Sequence, residues 1–175
     1  MDETQFRDTI HKLLKDKLPE YNVTKGENLL YKLMIDSQGK LQPEPNTLIH
    51  PKRGQLAFQT DILIKNDKVP LVVIEIKLGG FSTHDVLTYS TKANKHKEVY
   101  PYLRYGLIIG EKTKIDRRFF THNTGFDFAI AIESIKDSAE ELVETTKEQL
   151  RASEDMLQVL ENKEVRKFVS RVVLI

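Results

Sequence analysis

Glu75 and Lys77 stand in Leu71-Val72-Val73-Ile74-Glu75-Ile76-Lys77-Leu78, a run that is otherwise apolar. Side chains alternate along a strand, so a separation of two puts both charges on one face. Taking a charge out of water costs several kcal/mol unless a counter-charge or a metal ion meets it. Asp61 is the one acidic residue between Ala57 and Ile64, fourteen positions before Glu75. If the two runs pair about a turn at Asn66-Asp67, Asp61 and Glu75 meet at one end of the hairpin. Two adjacent carboxylates do not both stay ionised without a cation. A hard divalent ion resolves this, and Mg²⁺ commonly takes one or two carboxylates, several waters and a substrate phosphate. Lys77 would then hold or polarise an attacking hydroxide, or offset charge growing on the phosphoryl oxygens. That chemistry is phosphodiester hydrolysis. Alone, E-x-K is common and most often a solvated pair on an edge strand. The in-strand Asp, the apolar run and the capped helix that follows favour the metal site.

The elements that must position these residues are legible in the periodicity. Phe6, Ile10, Leu13 and Leu14 predict a helix over residues 3–17, ended by Pro19. Residues 28–35 read as a strand before the turn Asp36-Ser37-Gln38-Gly39, and Gln42 to about Gly54 as loop. Ala57 to Lys65 alternates as a strand, and Leu71 to Leu78 reads as one buried on both faces. Gly79-Gly80 ends it. Ser82 and Asp85 have the spacing of a capping box for a helix over residues 83–98. Strands follow over residues 103–109 and 126–132. A helix from about Ser134 to Phe168 carries Leu142, Val143, Leu150, Leu157 and Leu160 on one stripe. The expectation is a single mixed α/β domain over residues 1–175, its core over 3–132, with a central sheet and a long C-terminal helix.

Thr60-Asp61-Ile62-Leu63-Ile64 followed by Val72-Val73-Ile74-Glu75-Ile76-Lys77 resembles the PD-(D/E)XK nuclease superfamily of restriction endonucleases, junction resolvases and repair nucleases. The segment is also similar to the amino-terminal nuclease domains of type I restriction motor subunits. The resemblance implies a restriction endonuclease-like mixed sheet flanked by helices, and a metal-dependent DNA endonuclease of restriction type. It implies Asp61, Glu75 and the backbone carbonyl of Ile76 as ligands of Mg²⁺, with Mn²⁺ able to substitute, and Lys77 as the catalytic lysine. Thr60 stands where the superfamily's name has Pro. Many members add an upstream acid; Glu3, Asp8 and Glu27 are candidates, with Glu27 preferred. Several carry a glutamine on the next helix, which residues 83–98 lack. Tyr89 or Lys92 could stand there, against the expectation of a packed tyrosine and a surface lysine.

Composition narrows the alternatives. The 175 residues contain no Cys, which excludes disulfide scaffolds, Cys-ligated zinc and thiol catalysis. No apolar run approaches the roughly 20 residues that cross a bilayer, so the expected setting is cytoplasmic, without a membrane partner. The five histidines show no zinc-binding spacing, and there is no Walker, G-x-G-x-x-G or G-x-S-x-G sequence. The net charge of +1 hides an asymmetry: residues 92–118 carry eight basic and three acidic groups, residues 133–165 four basic and ten acidic. Alone this does not establish a nucleic-acid partner; in the resembled architecture, Lys92, Lys112, Lys114, Arg117 and Arg118 are the expected phosphate contacts to DNA. The acidic helix is expected to pack on the sheet or on another subunit. Cutting both strands usually needs two sites, so a homodimer or larger restriction assembly is expected. The rival functions are a non-cutting nuclease-fold module that binds DNA or protein, and an interaction protein built on its long helix. The apolar end Val172-Val173-Leu174-Ile175 is compatible with a chain cut from a longer one.

Overall fold

The computed structural model describes residues 1–167. Helix α1 (Glu3–Lys17) starts at a capping box in which Asp2 and Gln5 satisfy each other's backbone N–H, and it buries Phe6, Ile10 and Leu14. Strands β1 (Asn22–Lys25), β2 (Asn28–Leu30), β3 (Met34–Ile35) and β4 (Leu41–Gln42) follow, then a 3-10 turn at Pro45–Thr47 and β5 (Ala57–Gln59). Next come β6 (Ile62–Asn66), β7 (Val69–Leu78), α2 (Thr83–Val99) and β8 (Arg104–Gly110). Helix α3 (Arg117–His122), β9 (Phe128–Ile132) and α4 (Ile135–Leu160) complete the order.

The fold is mixed α/β. Its central sheet has the order β1-β6-β7-β8-β9, antiparallel from β1 to β7 and parallel from β7 to β9. Strand β7, at the centre, is buried on both faces, as its near-continuous apolar sequence requires. On one face Ile62, Ile64, Ile74, Ile76, Ile108 and Ile132 pack against α1 and α4. On the other, Leu63, Val73, Tyr105, Leu107 and Ile109 pack against residues of α2 and α3. Glu75 and Lys77 alternate with Ile74 and Ile76, so period two sends both charges to the α2 face. Gly79 and Gly80, at φ +74° and +140°, let the chain leave β7 and enter α2 through the Ser82–Asp85 capping box.

Four expectations need correction. The expected strand over residues 28–35 is two short strands, each in its own two-stranded ladder, β2 with β5 and β3 with β4. The expected strand from Ala57 to Lys65 is broken at Thr60-Asp61, where the turn at Gly26-Glu27 takes over the hydrogen bonding. Thr60 donates its N–H and its hydroxyl to the Glu27 carbonyl, and the Gly26 N–H reaches the carbonyls of Thr60 and Asp61. Strand β1 and helix α3 were not expected, being too short to show a period. The last helix ends at Leu160 because Asn162 takes a left-handed conformation, φ +90°, that closes it. Its expected terminus at Phe168, and the apolar residues 172–175, lie outside the described residues.

Candidate active site

The break at Thr60-Asp61 positions the first carboxylate. Strands β6 and β7 pair Ile62 with Ile74, and one further step in that register sets Asp61 opposite Glu75. Asp61 has left the ladder, and its side chain replaces the missing backbone partner: the Ile76 N–H donates to Asp61 Oδ2 at 2.9 Å. The N–H and C=O of one strand residue point to the same edge, so the Ile76 carbonyl faces the Asp61 side as well. Arg7 of α1 approaches the other carboxylate oxygen, Nη1 to Oδ1 at 4.0 Å.

Glu75 is 2% exposed. Its Oε1 accepts from the Tyr105 hydroxyl at 2.6 Å and from Lys92 Nζ at 2.7 Å. Burial pushes its carboxyl above the ordinary value, and Asp61 adds to this while Lys92 opposes it. Burial likewise raises the Tyr105 hydroxyl well above its usual range, with Glu75 adding to it, so Tyr105 is a proton donor to the carboxylate. Lys77 Nζ lies 3.7 Å from Glu3 Oε1 and 5.3 Å from the centre of the Tyr89 ring. Burial pulls this ammonium down, but Tyr89, Glu3 and Asp85 outweigh it and keep it protonated, above its ordinary value.

Asp61, Glu75, Ile76 and Lys77 therefore gather at the ends of two adjacent strands. Each carboxylate keeps one oxygen without a hydrogen bond among the described residues, Oδ1 of Asp61 and Oε2 of Glu75. These two oxygens and the Ile76 carbonyl are all hard oxygen donors, the type that Mg²⁺ or Mn²⁺ would take. No group of three or more His, Asp or Glu side chains converges for metal binding among the described residues. A Mg²⁺ ion completed by waters needs only the two carboxylates.

Glu27 does not join this set. Its carboxylate bonds Lys65 Nζ and the Thr24 hydroxyl, with His50 Nδ1 3.8 Å away. Asp8 is also committed elsewhere, to Lys25 at 2.8 Å. Of the three upstream acids it is Glu3 that reaches the site strand: besides its approach to Lys77, its Oε2 accepts from the Leu78 N–H at 3.3 Å. Lys92 is not the expected surface lysine. It is turned inward onto Glu75 and also donates to the Gln59 carbonyl. Tyr89, its neighbour on α2, lies between the two lysines, its ring centre 5.8 Å from Lys92 Nζ.

The remaining basic residues lie past the end of β8. Lys114, Arg117 and Arg118 are exposed and Lys112 partly so, and none of the four has a carboxylate within 4 Å among the described residues. Lys112 lies beside Gly80, its Cε 3.4 Å from where a Cβ would stand. The basic loop thus touches the chain three residues beyond Lys77.

Tyr105, Arg7 and the inward turn of Lys92 escape sequence reasoning. A tyrosine in a parallel strand reads as packing, and an arginine on an amphipathic helix reads as solvated. No helix of the described residues is long and apolar enough to cross a membrane. No protein-family model matches the chain, and no curated protein matches it.

Proposed function

We propose that this chain is a Mg²⁺-dependent endodeoxyribonuclease of restriction type, built on a restriction endonuclease-like fold and hydrolysing phosphodiester bonds. The observation that carries the reading is that Asp61 bonds the backbone of Ile76 between Glu75 and Lys77, which share one face of β7. A divalent ion held there supplies Lewis-acid stabilisation of the phosphoryl group and a more acidic water. Lys77 keeps its proton and offers positive charge to the oxygens on which charge develops, in a half-buried position where that charge is poorly screened. Glu3 and Tyr89 orient it. Tyr105 fixes Glu75 by occupying Oε1, which leaves Oε2 for the cation. The Lys112–Arg118 segment supplies phosphate contacts continuous with the site, which position a duplex without reading its sequence. Two copies would be needed to cut both strands, so the active form is a homodimer or part of a larger assembly.

The test is cleavage of plasmid and branched DNA in Mg²⁺ or Mn²⁺. Asp61→Ala and Lys77→Ala should each lower the rate by at least about a hundredfold, the scale of losing a transition-state charge partner. Circular dichroism should show both variants folded. Undiminished cutting by the Asp61 variant would end the assignment. One feature favours a second reading, a nuclease-fold module that binds without cutting: the ion pair that Lys92 makes with Glu75. That reading predicts salt-sensitive DNA binding and no cleavage with either metal.

A further inference from the structure

We propose that Lys92 is a displaceable internal counter-ion: it neutralises Glu75 until a divalent cation arrives, then swings outward into the adjoining groove to meet substrate phosphate. The inference rests on the metal-site reading above. Three observations carry it. First, the Lys92 ammonium binds as a cation binds, between the Glu75 carboxylate at 2.7 Å and the Gln59 backbone carbonyl. Second, it does so on an acid that is 2% exposed and has few other sources of positive charge. Third, the side chain has somewhere to go. Lys92 borders a groove of about 640 Å³ along the outer side of α2, lined also by Phe58, Gln59, His84, Thr88 and Tyr89.

The electrostatic logic is exchange. An ammonium and a divalent ion on the same carboxylate repel each other, strongly where solvent is excluded, so occupancy by one disfavours the other. The four-carbon stem of a lysine lets the charge move while the helix stays in place. Released, Lys92 points into a groove whose rim also carries Lys95 and His84. A fixed structural ion pair would behave differently, because its ammonium would stay on Glu75 after the metal is added.

The probe is Mn²⁺, titrated calorimetrically into the full chain and into Lys92→Met and Glu75→Gln. Loss of the competing ammonium should tighten Mn²⁺ binding by about tenfold or more, the scale of one removed like charge. Glu75→Gln should abolish binding. Should Lys92→Met not fold, the unaltered chain still decides. The ε-ammonium ¹⁵N signal of Lys92, protected from exchange by its two oxygen partners, should be lost when Mg²⁺ is added. Equal or weaker Mn²⁺ affinity in Lys92→Met, or an ammonium signal that persists at saturating Mg²⁺, would overturn the exchange while leaving the metal site standing. Absence of Mn²⁺ binding in both the unaltered chain and Lys92→Met would overturn the exchange and the metal site together.

Discussion

His96 and Glu75 are sealed in the layer between α2 and the sheet, and burial moves each toward its neutral form. For His96 the consequence is a defined acid sensitivity. Its Nε2 donates to the Leu29 carbonyl at 3.1 Å, while Nδ1 has no partner among the described residues. Burial first, and then the Lys92 charge, lower its pKa from 6.5 to about 3. The unfolded chain therefore takes up a proton below 6.5 that the folded chain refuses until about 3. The His96 contribution is complete above the upper value and is lost as pH falls through the window. At pH 4.5 this amounts to about 2–3 kcal/mol. Urea midpoints should fall more steeply between pH 7 and pH 4.5 for the unaltered chain than for His96→Met. Parallel pH profiles would mean the imidazole is not the titrating group. The same layer explains which site residues the sequence exposes. Asp61, Glu75 and Lys77 are visible because charge inside an apolar strand breaks its pattern. The pairings of Lys92 and Tyr105 with Glu75, and of Glu3 with the end of β7, are not, because these partners lie 17, 30 and 75 residues apart and only tertiary packing joins them.

Helix α2 carries Tyr89 and Lys92, so whatever seats α2 against the sheet also sets the site. A close backbone approach does this at Gly125, in the loop before β9. A Cβ there would meet the Ser90 carbonyl of α2, with the Ala93 Cβ at 2.9 Å and Asn94 Oδ1 at 3.0 Å. Backbone and a buried methyl group cannot yield as a long side chain can. Lys97 Nζ also donates to the Gly125 carbonyl at 2.7 Å, and Asn94 bonds the Thr124 hydroxyl at 3.1 Å, so the loop is tied to α2 along two turns. Gly125→Ala should lower stability by about 1–3 kcal/mol, the usual effect of overfilling a packed contact. The checking measurement is the denaturant midpoint at constant m-value; an unchanged midpoint would show that α2 is not held there. The glycine itself is no sequence signal, since in Asn-Thr-Gly it reads only as a turn. The long elements were legible for the opposite reason: α1, α2 and α4 each bury a repeating stripe, and β7 and β8 are near-continuous apolar runs. The insertion from β2 to β5 was not, since its ladders of two or three residues leave no period to read and β2 finds its partner β5 far along the chain.

Across the whole molecule the most acidic and the most basic segments lie on opposite sides of the sheet. Helix α4 lies in the segment with ten acids and four bases, and it buries Leu142, Val143 and Leu150 against the face that Ile74 and Ile76 line. Lys92, the Lys112–Arg118 segment and Glu75 belong to the α2 and α3 side. An overall charge of +1 therefore conceals a basic segment on the α2 and α3 side and an acidic helix on the opposite one. Each lysine or arginine that neutralises a phosphate adds close to one unit to the slope of log affinity against log salt. Replacing Lys112, Lys114, Arg117 and Arg118 together by Gln should thus weaken duplex binding at low salt and flatten that slope by about 3–4. Glu141 and Glu148 are exposed on α4, and Glu141→Gln with Glu148→Gln should leave the slope as it was. Fluorescence anisotropy across a salt series measures both. The Mn²⁺ affinity of the four-residue variant should match that of the unaltered chain, because none of the four side chains touches Asp61 or Glu75. A slope that moves with the α4 substitutions and not with the basic ones would place nucleic acid on the other face, away from the carboxylates.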